Sequence, residues 1–392
     1  MISVKLIQLP LILWGWALYL ILFPFYFFES GMPQPADWLL CLVMLIYIFK
    51  GYSFHFQYVP VQKLKFFLIY VFLVNFFWAF FIDQSMEKRF PSYFHTLFYI
   101  FNFLLFTFSI HLFSLYRLLF INVTVYAAGF SMIIQALISL TYGDVTARNS
   151  LFFNNPNQLG YYSLVAGTVF SYLTRVVSVP VVFQVFSYFA FLYLCLLSSS
   201  KAAMAGGVAL VLLSAAGRGI ISLRHILTLL IVGFAIYYFI TSVDFGTRLF
   251  DYAFNRFYSI GQSRDDTIEG RGYDRILNEP GYMILGAGEG GYYRFKTLLS
   301  TGEIHSSFGT ILFCYGMPGL LFFILFLRES FRYSSFLDAL YFVPIVIYSF
   351  THQGLRSSLF WVLIALFYCG SLILKTYREN RIITSKATQS FQ

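Results

Sequence analysis

Apolar stretches of about twenty residues recur along this chain, separated by short polar clusters, and that rhythm restricts the fold more than any single motif. A hydrocarbon core about 30 Å thick is crossed by about 20 apolar residues in a helix. Inside lipid every backbone polar group must be paired within the protein, so apolar runs of this length become helices. They fall near residues 9–28, 36–50, 64–82, 94–113, 117–141, 159–174, 179–197, 202–216, 222–241, 306–327, 336–350 and 357–374. The chain is 59% hydrophobic and 11% charged, with a mean hydropathy of +0.73, and a soluble protein so composed would precipitate. The expected fold is therefore an all-α polytopic membrane protein with about twelve transmembrane helices, in which residues 1–392 form one membrane domain. The first apolar run follows Lys5, exceeds twenty residues and has no small-residue cleavage site after it. It reads as a retained helix rather than a signal peptide.

Charge sets the expected orientation. With the N-terminus threaded into the cytoplasm, fourteen basic residues, Lys50, Lys63, Arg117, Arg175, Arg328 and Arg378 among them, fall inside beside only Glu329, Asp338 and Glu379. The remaining twelve basic and fourteen acidic residues fall outside. Cytoplasmic loops carry the excess of Lys and Arg in membrane proteins, so the net charge of +9 reads as a topology signal and not as a nucleic-acid surface. Both termini are then cytoplasmic, and the one large loop, residues 243–303 between the ninth and tenth spans, lies on the outer face.

Cys41, Cys195, Cys314 and Cys369 all fall within apolar runs, offer no metal-ligand spacing, and read as small packing residues. Fifty Phe and thirty Tyr are too many for interfacial belts alone, so most must face lipid or neighbouring helices. The spans are nearly free of ionisable groups, which argues against a proton-coupled transporter. Lys201 is the main exception and has two open readings, snorkelling to the interface or facing an outer cavity.

The large loop begins with an amphipathic segment, Arg248 to Tyr258, in which Leu249, Phe250, Ala253, Phe254 and Phe257 share one helical face. Packing on the membrane surface and packing on the protein would both produce it. Arg264, Asp265 and Asp266 follow, the aspartates reading as a solvated surface with too few oxygens for a hard cation. Arg271 and Arg275, four apart, would share a helical face and could grip a diphosphate. The run Gly286-Ala287-Gly288-Glu289-Gly290-Gly291 lacks the strand-turn-helix setting of a dinucleotide fingerprint and reads as a tight turn where backbone closely approaches a ligand or another segment. Tyr273, Tyr282, Tyr292 and Tyr293 would either stack on sugar faces or pack within the loop. His305, where the loop returns to the tenth span, is the sharpest candidate, because imidazole can exchange a proton near neutrality; Glu303 stands beside it. Other outer loops add Arg148 with Asn157, and His352 with Arg356, and a basic residue from each of several loops could converge on one anionic ligand.

Together these elements resemble the O-antigen polymerase and O-antigen ligase superfamily. The resemblance is carried by Arg148 through the Asn-Pro-Asn segment to Gly160, by Ser200-Lys201, by Arg271 through Pro280 to Gly286-Ala287-Gly288, and by His305 to Gly316 and Gly319. It spans the whole expected topology, although its motifs occupy about the last two-thirds of the chain, with Lys201 where arginine is frequent and Ser306 where asparagine often follows the histidine. It implies a GT-C-like, metal-independent inverting glycosyltransferase without cofactor in the bacterial inner membrane, acting at its periplasmic face. Such an enzyme transfers glycan from an undecaprenyl diphosphate-linked donor to a hydroxyl of a lipid-linked acceptor, among membrane lipid and with a chain-length regulator protein as a candidate partner. His305 would be the base and Arg271 would stabilise the leaving diphosphate, with Arg148, Arg275, Lys201, Asn157, Arg264 and Tyr273 binding substrate. A polymerase is the expected activity; a ligase moving glycan onto lipid A core is the close alternative, and a lipid-linked oligosaccharide flippase the alternative from another class.

Overall fold

The computed structural model describes residues 9–29, 31–52, 56–83, 94–142, 148–216, 223–259, 261–262, 267–295 and 302–389. These residues are helical throughout their regular structure. In chain order the helices are α1 (Leu11–Leu22), α2 (Pro35–Phe49), α3 (Val59–Ala79), α4 (Phe94–Tyr116), α5 (Leu118–Tyr142), α6 (Pro156–Leu173), α7 (Val181–Ser198), α8 (Lys201–Ala216), α9 (Leu223–Ser242) and α10 (Asp244–Tyr258). Then follow the short α11 (Asp274–Asn278) and α12 (Tyr282–Leu285), and α13 (Ser307–Ser330), α14 (Phe336–Leu340), α15 (Val343–Thr351) and α16 (Ser358–Gln389).

Among the described residues six helices, α3, α4, α5, α7, α13 and α16, are long and apolar enough to cross a membrane. A seventh span is gained if α9 and α10, bent by 96° at their junction, count as one. Helices occupy the other expected stretches, but several are short: α1 covers twelve residues, because Pro24 cannot supply the N–H that would continue it.

The centre of the bundle is α6 and α16. Residues Leu159 to Leu173 of α6 are all buried, as are Leu359 to Cys369 of α16, and the two helices pack on each other. Close approach is bought with glycine: a Cβ on Gly167 would lie 2.4 Å from the Phe191 ring of α7. Hydroxyls inside the buried helices are satisfied by the carbonyl one turn back, as Thr168 of α6 donates to Leu164 and Thr107 of α4 to Phe103. The outer face of α3 exposes Phe72, Phe76, Phe77 and Phe80, a surface suited to lipid rather than water. In α10, Leu249 and Ala253 are buried where the helix packs on α7 and α9, whereas Phe254 and Tyr258 stay exposed. The cysteines form no disulfide, and all but Cys41 are fully buried.

Two features of the loop-to-helix return position the site. The backbone of α13 leaves helical geometry at Gly316 (φ 63°, ψ −171°), two residues before Pro318. Proline has no N–H for the Cys314 carbonyl, and the break likewise frees the Phe313 carbonyl. Both are taken up by the glycine run: Ala287 N–H donates to Phe313 O and Gly288 N–H to Cys314 O, each at 2.9 Å. The close backbone approach expected of that run is thus made to a broken helix. Side chains of α3 fix it from behind, with Tyr70 donating to Leu285 O and Trp78 to Gly286 O.

At the opposite end of these helices Arg175, Asp338 and Arg378 meet. Asp338 is buried, pairs with Arg175 at 2.6 Å and Arg378 at 3.4 Å, and forms a capping box with Ser335 at the start of α14.

Candidate functional site

The start of α13 is held by Ser306, whose hydroxyl accepts the Gly309 N–H and donates to Ser349 O of α15. Ser307 extends the seam: its N–H and hydroxyl donate to His352 O, and its Oγ accepts Gly354 N–H. His305 therefore stands just before a helix end locked to the segment between α15 and α16. Its own N–H donates to Arg271 O at 2.9 Å, while the Arg271 guanidinium donates to Thr351 O and Tyr273 Oη to Phe350 O. Three separate stretches, around 271, 305 and 352, are thereby joined through their backbones.

A fourth arrives with α6. Asn155 caps that helix by accepting the Gln158 N–H, and in the first turn Asn157 receives the Arg148 guanidinium on its side chain and Tyr348 Oη on its carbonyl at 2.7 Å. His352 stacks on Tyr348 with ring centroids 4.3 Å apart. Burial pushes the His352 imidazole down to about 3, and the neighbouring charges of Arg271, His305 and Arg148 add to the effect. It is a neutral ring at physiological pH.

These groups border a cavity of about 620 Å³, large enough for a sugar unit. Asn157, His305, His352, Glu303 and Arg356 line it together with aromatic residues such as Tyr26, Trp38 and Phe94. Arg148 and Arg271 stand behind His352 rather than on the cavity surface. His305 itself is exposed.

A second charged cluster lies on the same wall. Arg356 Nη1 is 2.7 Å from Glu303 and Nη2 is 3.3 Å from Glu289. Glu289, from the glycine run, is completely buried, accepts Tyr99 Oη at 2.8 Å and lies 3.4 Å from His95 Nδ1, while its N–H donates to Asn75 Oδ1. Burial raises the Glu289 carboxyl, and Arg356 and the Tyr99 hydrogen bond oppose that rise. Burial alone would disfavour the Arg356 cation, but Glu303 and Glu289 outweigh it and hold its pKa well above the ordinary arginine value.

The other sequence candidates are placed elsewhere. Arg275 is fully buried inside the loop, donating to Gly302 O at 2.7 Å and lying over the Tyr292 and Phe295 rings. It braces the segment that carries Glu303 and does not line the cavity. Lys201 starts α8 and donates to Ser259 O at 3.3 Å, away from the cavity lining. Arg264, Asp265 and Asp266 lie outside the described residues. Tyr282 packs against Trp78, Phe295 and Phe313, and Tyr293 hydrogen-bonds Asp83, so neither faces the cavity. Among the described residues no group of three or more His, Cys, Asp or Glu is arranged to hold a metal ion.

Glu289 escaped the sequence reading because it sits inside a glycine run that speaks only of backbone. A buried carboxylate among glycines is its one signal, and its partner is 67 residues away. No protein-family model matches this chain, and no curated protein matches it in sequence.

Proposed function

We propose that this chain is an inverting glycosyltransferase of the O-antigen polymerase type, lengthening a lipid-linked surface polysaccharide at the periplasmic face of a bacterial inner membrane. The observation that carries this reading is the main-chain hydrogen bond from His305 N–H to Arg271 O, which ties the exposed His305 on the lining of a sugar-sized cavity to the segment that carries Arg271. In the proposed reaction His305 takes the proton of an acceptor hydroxyl. The oxygen then bonds the anomeric carbon as the bond to the diphosphate oxygen breaks, inverting that carbon. Arg271 and Arg148, set behind the cavity surface, supply positive potential that offsets the charge developing on the leaving diphosphate. Neutral His352 between them keeps the pocket from repelling the incoming His305 proton further.

The threading with twelve spans and cytoplasmic termini belongs to the same proposal. It is supported by the meeting of Arg175, Asp338 and Arg378 at one end of the bundle and of Arg148, Arg271, His305 and Arg356 at the other, as charge distribution along the chain requires. The test is the lipopolysaccharide banding of a deletion strain complemented with wild type, His305→Ala or Arg271→Ala. Loss of long glycan with retained single-repeat caps, unrescued by either variant at normal membrane levels, is expected. Long glycan stranded on the lipid carrier would instead identify a ligase, and full banding from both variants would overturn the site.

A further inference from the structure

Besides Asp37 of α2, which lines it, the cavity has two groups of charge at its wall, and they differ in sign. Around His352 stand Arg271, Arg148 and His305. Around Arg356 stand two carboxylates, so one guanidinium serves Glu303 and Glu289 together and the group carries a net negative charge with both carboxyls ionised. Each terminal nitrogen of the guanidinium already meets a carboxylate, at 3.3 Å and 2.7 Å, and its Nε is buried, so the group is turned to protein carboxylates rather than to an anionic ligand. Glu303 is different. Its side chain is 32% exposed and lines the cavity, and Arg356 contacts one of its two carboxylate oxygens. An ionised carboxylate only accepts hydrogen bonds, so its natural partners are donors such as sugar hydroxyls, and it repels acidic groups.

Why Glu303 points where it does follows from the residues behind it. Glu289 is anchored by Tyr99 Oη on its side chain and Asn75 on its N–H, and the glycine run that carries it is pinned to the broken turn of α13. That rigid carboxylate holds one branch of Arg356, and the other branch holds Glu303, two residues from His305.

We propose that Glu303 is the acceptor-side contact of the cavity, taking hydrogen bonds from the hydroxyls of an uncharged sugar, and that Glu289 is a positioning residue acting on it through Arg356. The inference rests on the glycosyl-transfer reading and deepens it by naming the acceptor class: a neutral sugar, not a uronic or sialic acid, meets this wall.

The experiment uses the purified full-length protein in lipid, with undecaprenyl diphosphate-linked repeat units from a deletion strain as saturating donor and a soluble short-chain analogue of the same repeat as acceptor. Glu303→Gln and Glu289→Gln are each expected to raise the acceptor KM about tenfold or more while kcat changes little, since each weakens a charged hydrogen bond to the ground-state acceptor. The double variant is expected to be no worse than the poorer single one, because Glu289 acts on the acceptor only through Arg356 and Glu303. Effects that multiply, an unchanged KM, or a loss confined to kcat would overturn the proposal. Should Glu289→Gln fail to fold, Arg356→Lys, which keeps the charge but cannot bridge two carboxylates, gives the same cycle with Glu303→Gln. A wild-type protein that transfers nothing brings down the parent reading and this inference with it. Transfer that responds to His305→Ala but not to these variants removes the inference alone.

Discussion

The Gly288 N–H donates at 2.9 Å to the carbonyl of Cys314, the one carbonyl of α13 that Pro318 leaves without a helical partner. A loop segment thus completes the hydrogen bonding of a broken helix, and the same segment delivers Glu289 to Arg356. The contact demands glycine. Gly286 has φ +98°, and a Cβ there would lie 2.4 Å from Cys314 O. Gly286→Ala is therefore expected to cost at least about 2 kcal/mol, combining a left-handed backbone penalty with a clash against main chain. Gly281, with nothing within 4 Å of its would-be Cβ, is the control, and Gly281→Ala should be silent. Thermal unfolding in detergent checks the pair; equal melting temperatures would show that the segment is not seated as described.

His352 makes stability depend on pH. Its imidazole is held near 3 in the folded protein, against about 6.5 when unfolded, so between these values the unfolded chain binds more protons. Stability contributed by this residue is fully present above pH 6.5 and is lost as pH falls toward 3. His352→Gln cannot take up that proton, so its melting temperature should fall less steeply than wild type between pH 7 and pH 4. Parallel curves for the two proteins would show that other groups carry the acid sensitivity.

How much of this was readable beforehand depended on the kind of constraint. Lipid imposes length and apolarity on each span, so the helical architecture stood out even though, among the described residues, six helices meet the full length and composition. His305 and Arg271 were visible as chemistry at a boundary, whereas the break at Gly316 and Pro318 was hidden inside an apolar run read as one span. Which backbone would fill the freed carbonyls was not visible, because Gly288 and Cys314 are joined by folding alone. Arg275 misled for a related reason: four-residue spacing from Arg271 suggests a shared helical face, but α11 starts only at Asp274, so the two side chains diverge, one to Thr351 O and the other to Gly302 O. Among the loop tyrosines, Tyr282, Tyr292 and Tyr293 pack on or bond to neighbours within the protein, and the aromatic lining of the cavity comes from other segments, among them Phe23, Tyr26, Trp38, Phe94, Phe153 and Tyr162.

Asp338 offers a test of the other end of the bundle. Its carboxylate is 1% exposed and pairs at 2.6 Å with Arg175, itself only 13% exposed, whereas Arg378 approaches at 3.4 Å and is 44% exposed. Removing one partner of a buried pair strands the other charge, so Asp338→Ala is expected to destabilise the protein by about 3–5 kcal/mol. Arg378→Ala loses a solvent-screened contact and should cost under about 1 kcal/mol. Because the penalty in Asp338→Ala comes from the abandoned guanidinium, replacing both members, Asp338→Asn with Arg175→Met, should recover part of it. Asp338 also accepts the Ser335 N–H and hydroxyl at 2.7 Å each, and Asn keeps an acceptor there, which isolates the charge from the cap. Unfolding of Asp338→Asn with and without Arg175→Met decides the matter: a double variant no more stable than Asp338→Asn alone would mean that the stranded guanidinium is not the source of the penalty.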